Sequence, residues 1–124
     1  MSKITKVIAR QVFDSRGNPT IEAEVFSNNL SASSICPSGA STGTYEAYEK
    51  RDKSNKKYLG KSVLYAVKII NKLIYEKLKN QNVHDQERID HLLIKLDGTK
   101  QKKKIGANTI LTISMAVKKL SAKI

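Results

Sequence analysis

Cysteine occurs once in these 124 residues, at position 36, proline twice and tryptophan not at all. A single cysteine excludes an internal disulfide and a multi-cysteine metal site, and it fits a reducing, cytoplasmic setting. No apolar run approaches the ~20 residues that span a bilayer. The start, Met1-Ser2-Lys3-Ile4-Thr5, has no apolar stretch of the kind a secretory signal carries. The expectation is a cytoplasmic protein with no membrane partner. Acidic residues are few, 11 against 23 basic ones, for a net charge of +12. Arginine is scarcer still, at positions 10, 16, 51 and 88 alone. Base-specific recognition of nucleic acid leans on the arginine fork and on aromatic platforms, and the aromatics here are not interleaved with basic residues. The charge reads as a solvated lysine surface with weak, salt-sensitive attraction to polyanions. Nucleic acid is disfavoured as a partner.

What is present suffices for one domain with one modest core: 40% of the residues are hydrophobic. The first third reads as β. Ile4 to Phe13 is rich in β-branched residues, and Thr20 to Phe26 alternates Ile21, Ala23 and Val25 with Glu22 and Glu24. Between them, Asp14-Ser15-Arg16-Gly17-Asn18-Pro19 is dense turn chemistry. Ser27-Asn28-Asn29 turns the chain into a third run, Leu30 to Cys36, and an antiparallel meander follows.

The remainder reads as helix. From Ser62, apolar residues recur at spacings of three and four as far as Leu78, and Asn80-Gln81-Asn82 breaks the pattern. A second helix starts near Asp85 and ends at Gly98 as a C-cap. A third begins after Gly106, with Asn108 as the expected cap. Its apolar surface, between Ile110 and Val117, is much wider than one stripe and suggests a missing partner surface. The fold class is therefore α+β, a three-stranded meander followed by three to four helices on one face.

The strip Pro37-Ser38-Gly39-Ala40-Ser41-Thr42-Gly43 stands out between the third strand and a charged segment. Taken alone it reads first as an ordinary connection. The second reading is a loop that closes over a charged ligand, with glycines as pivots and hydroxyls and amides as ligand groups. Arg16 is read as structural, its fork holding loop carbonyls or Asp14. His84 and His91 read as surface residues, and Cys36 as a small buried hydrophobe.

Several blocks, in this order and spacing, resemble the N-terminal domain of the enolase family. They are Ala9 to Thr20 with its Asp-Ser-Arg-Gly-Asn-Pro-Thr core, Pro37 to Ala47, Lys57-Tyr58-Leu59-Gly60-Lys61, Asp97-Gly98-Thr99, and Gly106 to Leu111. The resemblance covers essentially the whole chain, and it implies the dehydration of 2-phosphoglycerate to phosphoenolpyruvate in glycolysis. In that family a barrel domain carries the base, the acid and the ligands of the first of two Mg²⁺ ions. It implies a role for Gly39, Ala40, Ser41, Thr42 and Gly43 as the substrate-closing loop, with Ser41 a ligand of the second Mg²⁺. Arg10 and Glu22 would meet charges on a second subunit in a dimer. Partners so implied are the enolase barrel, a second enolase subunit and 2-phosphoglycerate. Departures are small: Ser33-Ser34, Cys36, and Thr109 where the family tends to have alanine. On this reading residues 1–124 are the N-terminal domain without the catalytic barrel, so no catalytic residue is expected among them. The alternative is an inactive stand-alone interaction module, binding protein or, weakly, RNA.

Overall fold

The computed structural model describes residues 2–36, 49–53 and 57–124. Strands β1 (Lys6–Phe13), β2 (Pro19–Ser27) and β3 (Leu30–Ile35) form one antiparallel sheet in the order β1-β2-β3. The register sets Val7 opposite Val25 and Val25 opposite Ala32; Ala9, Ala23 and Ser34 make the next row. Because side chains alternate faces, these rows share one face, and all six residues are buried. The opposite face carries Arg10, Glu22, Glu24 and Ser33, all exposed or half-buried.

Ile4, expected to open the first strand, does not pair as part of it. Its amide donates to the Gln81 carbonyl (2.9 Å) and its carbonyl accepts from the Asn80 amide (2.8 Å), so residues 2–4 zip onto the segment after the first helix. That helix is one rod in three parts: α1 (Leu64–Ile69), a π-helical stretch (Ile70–Ile74) and α2 (Tyr75–Leu78). Its buried residues Ala66, Ile70, Ile74 and Leu78 recur at every fourth position. At 3.6 residues per turn such a repeat drifts about 40° per step. The wider π turn takes up the drift and keeps the later residues under the sheet.

α3 (Gln86–Asp97) starts as expected, with the Asp85 carboxylate accepting from the Arg88 amide (3.2 Å), and ends at Gly98, left-handed at φ 71°. α4 (Ala107–Lys123) is bordered by Gly106 in place of the expected Asn108 cap, and no side chain caps it. Its broad apolar surface is used from two sides, by β2 and β3 and by α3. Ile113, Ala116, Val117 and Leu120 are fully buried. The partner surface predicted for this helix is thus largely its own sheet and neighbour; Leu111 is left 45% exposed.

Both sheet edges are closed by helix side chains. On the β1 side, Asn71 accepts from the Ala9 amide (2.8 Å) and donates to the Ala9 carbonyl (3.3 Å), as a neighbouring strand would. On the β3 side, the Nζ atoms of Lys119 and Lys123 donate to the carbonyls of Ser33 (3.3 Å) and Ser31 (2.6 Å). Unpaired edges invite edge-to-edge association, and these contacts remove it where they fall.

Candidate functional site

The loop residues Gly39, Ala40, Ser41, Thr42 and Gly43 lie outside the described residues. The two ends from which their segment springs are described, and both are firmly held. At the near end, the Cys36 amide donates to the Ile21 carbonyl (3.0 Å) and the Thr20 hydroxyl donates to the Cys36 carbonyl (2.8 Å). The Cys36 side chain is buried, and burial pushes its thiol up. It packs as a small hydrophobe, as expected, and has little thiolate character.

The far end, residues 49–53, is pinned by three side chains. The buried Asn108 accepts from the Lys50 amide (2.8 Å) and donates to the Lys50 carbonyl (3.1 Å). Arg51 Nη1 donates to the carbonyls of Pro19 (2.9 Å) and Lys61 (2.6 Å), and its Nε to Glu49 (3.1 Å). The Asp52 carboxylate accepts from the amides of Leu64 (3.1 Å) and Tyr65 (3.2 Å). It thereby satisfies the first turn of α1 from outside the helix.

The two ends share one support. Pro19 holds Arg51 and Thr20 holds Cys36, and both lie at the start of β2, directly after the Asp-Ser-Arg-Gly-Asn turn. Asp14 builds that turn: its Oδ1 accepts from the amides of Arg16 (2.9 Å) and Asn18 (2.9 Å). The Asn18 amide, with help from that of Arg16, holds the Asp14 carboxyl below the ordinary carboxylate range. Arg16 thus contributes its backbone here, and the guanidinium that grips loop carbonyls is that of Arg51. Sequence reasoning missed Arg51; it follows a polar stretch with no periodicity to mark it.

Asp97 was also missed as a working residue. It is 2% exposed, and its Oδ2 accepts from the amides of Ile105 (2.7 Å) and Gly106 (3.3 Å). Its Oδ1 accepts from the Thr99 amide (3.0 Å) and, closely, from the Thr99 hydroxyl. Burial alone would raise this carboxyl; the Thr99 hydroxyl and the three amides outweigh burial and hold it below the ordinary range. A signal existed: a carboxylate in the last turn of a helix opposes the helix dipole and needs another reason to be there. The loop it closes ends at Gly106, where φ is +94° and a Cβ would lie 2.5 Å from Lys50 Cβ and 2.9 Å from Lys50 N. Only glycine lets the loop and the far post meet this closely.

Arg10 and Glu22 sit opposite each other in the β1–β2 register and pair within the chain, Nη1 to Oε1 at 2.6 Å. Arg10 Nη2 also reaches Glu24 (3.2 Å), whose other oxygen accepts from the Ser31 hydroxyl (2.8 Å). Ser31 first, then Arg10, holds Glu24 below the usual carboxylate range. His84 is exposed, with its Nδ1 2.7 Å from the Ser121 hydroxyl, and His91 is exposed on α3. Among the described residues no three His, Cys, Asp or Glu side chains converge as a metal site. Among the described residues no helix is long and apolar enough to cross a membrane.

The family model for the enolase N-terminal domain matches residues 4–124. Over all 124 residues the chain is 72% identical to the enolase of Pelagibacter ubique (strain HTCC1062), and it spans about 30% of that curated relative's length. With the match running through the meander, both loop ends and all the helices, this chain belongs to the enolase N-terminal domain family.

Proposed function

We propose that residues 1–124 act as the N-terminal domain of an enolase, supplying the substrate-closing loop to a barrel that dehydrates 2-phosphoglycerate to phosphoenolpyruvate. The observation that carries this reading is the pair of anchored ends: a segment held at one root by Thr20 and Ile21 and at the other by Pro19, three consecutive residues of β2, can deliver its middle to one place. Positioning of this kind matters because misplacement by about 1 Å costs as much as 10²-fold in rate. Ser41 is the loop's proposed ligand for the second of two Mg²⁺ ions, its hard oxygen matching a hard ion. When bound, the ions supply fixed positive charge beside the carboxylate as negative charge builds on it. As the family resemblance implies, the ligands of the first ion, the base and the acid belong to the barrel in this proposal. Arg10 and Glu22 pair with each other on the sheet face away from the core, and their meeting a second subunit is proposed from the family resemblance. The cytoplasm is the proposed location.

The test is reconstitution. The chain alone is expected to leave 2-phosphoglycerate untouched, and mixing with a separately expressed enolase barrel and Mg²⁺ is expected to restore turnover. Ser41→Ala in the mixture is expected to lower turnover at least ~10-fold with affinity for the first metal unchanged. Turnover by the chain alone, or an unaffected Ser41→Ala mixture, refutes the reading.

A further inference from the structure

Two residues of α4, four positions apart, reach the two ends from which the loop segment springs. Asn108 clamps the far end, its side chain accepting from the Lys50 amide (2.8 Å) and donating to the Lys50 carbonyl (3.1 Å). Thr112 meets the near end, its hydroxyl in hydrogen-bonding contact with the Cys36 thiol. Residues at i and i+4 are neighbours on one side of a helix, about 6 Å apart along its axis. All three side chains, Cys36, Asn108 and Thr112, are buried, so water does not compete for these contacts.

The Thr112 hydroxyl also donates to the Asn108 carbonyl (2.6 Å). That bond fixes a threonine rotamer that in a helix otherwise divides between two. A hydroxyl has one proton to give. With that proton on the Asn108 carbonyl, the oxygen accepts from the Cys36 thiol, which burial keeps protonated. Such back-bonding is not automatic on α4: among the described residues the hydroxyl of Thr109, equally buried, has no partner. The near end is therefore held on two sides, its backbone by Thr20 and Ile21 of β2 and its side chain by α4.

We propose that Thr112 couples the two ends of the loop segment, forming with Asn108 a rigid bracket through which loosening one end loosens the other. In turnover Thr112 is then a positioning residue, a role that rests on the reading of residues 1–124 as the N-terminal domain of an enolase. The coupling itself is a property of this chain and is tested without a barrel.

Cys36 is the only cysteine in the sequence, so its labelling by an aromatic disulfide reports opening at the near end. Rates are taken across low urea: the urea-independent part reads local opening and the steep part reads global unfolding. Asn108→Ala, which releases the far end, is expected to raise the urea-independent rate about 10-fold. In a Thr112→Val background the same release is expected to change it less than about 2-fold. Thr112→Ser keeps the hydroxyl and is expected to restore the response. Ser114→Ala removes a hydroxyl from the same helix where it donates to Asp90 (2.6 Å), and it is expected to leave the response intact. Asn108→Asp keeps an acceptor for the Lys50 amide; as the milder release it gives a smaller rise in the same direction and serves if Asn108→Ala does not fold. A urea-independent rate that ignores both Asn108 variants, or that rises as much in the Thr112→Val background, overturns the coupling. In the mixture with a barrel, Thr112→Val is expected to lower kcat with KM unchanged, and Thr112→Ser to recover kcat. Unchanged kcat overturns the positioning role even where labelling shows the coupling. A mixture without turnover for any variant counts against the enolase reading alone, and the labelling still decides the coupling.

Discussion

Asp97→Ala removes the acceptor for three backbone amides at once. Two of them, Ile105 and Gly106, are bonded to Asp97 within the interior, at 2.7 and 3.3 Å. A buried amide left without a partner costs about 1–3 kcal/mol, so the pair accounts for about 2–6 kcal/mol. The Thr99 donors are only partly buried; water replaces their acceptor and they add little. About 4 kcal/mol is the central expectation, which for a domain of this size is a fall of about 15 °C in Tm. Urea unfolding followed by circular dichroism reads the loss as an earlier midpoint at unchanged slope. A change below about 1 kcal/mol would sink the argument, because the loop would then be closed by something else. Asp97→Asn adds a second readout. The folded carboxyl lies below its unfolded value near ~3.9, so the unfolded chain binds the proton more readily and stability rises with pH. Its contribution is complete above the unfolded pKa and is lost as pH falls through the folded one. The gap between wild type and Asp97→Asn should therefore be constant from about pH 7 to about pH 5 and narrow below about pH 4. A gap that persists unchanged into stronger acid contradicts the assignment.

Asn108→Ala leaves both backbone groups of Lys50 without their partner and is expected to cost about 2 kcal/mol in urea unfolding. In the reconstituted enzyme it should also lower turnover more than it disturbs the unfolding slope; a stability loss with turnover intact would detach the far post from function. Asn71→Ala opens the β1 edge at Ala9, with an expected loss of about 1–2 kcal/mol and concentration-dependent association in sedimentation velocity. A stable, strictly monomeric variant would show that the edge is protected by other means.

The meander was legible because alternation along β2 is a local, period-two signal that the register then repeats across the sheet. The ends of α3 were legible for the same reason: Asp85 and Gly98 act within one turn of themselves. Asn108 was misread because a capping rule looks only at the next few residues, whereas its amide is used by Lys50, 58 positions earlier. Arg51 likewise draws its meaning from Pro19, 32 residues back. Spacings of three and four announce a helix from Ser62 onward but do not distinguish an α from a π turn, so Ile70–Ile74 was invisible. The family blocks pointed to the loop itself, yet the residues that root it at either end emerge only from the folded chain.

The π stretch couples three requirements that would otherwise be independent. Ahead of it, Ala66 must lie under the sheet; within it, Asn71 must reach Ala9; beyond it, Leu78 must still be covered. A chain one residue shorter between Ile70 and Ile74 would wind as plain α-helix and swing everything downstream by about 100°. It could then keep the amide on the outer strand or the leucine in the interior, but not both. Length at this point is thus as strictly specified as any side chain in the molecule.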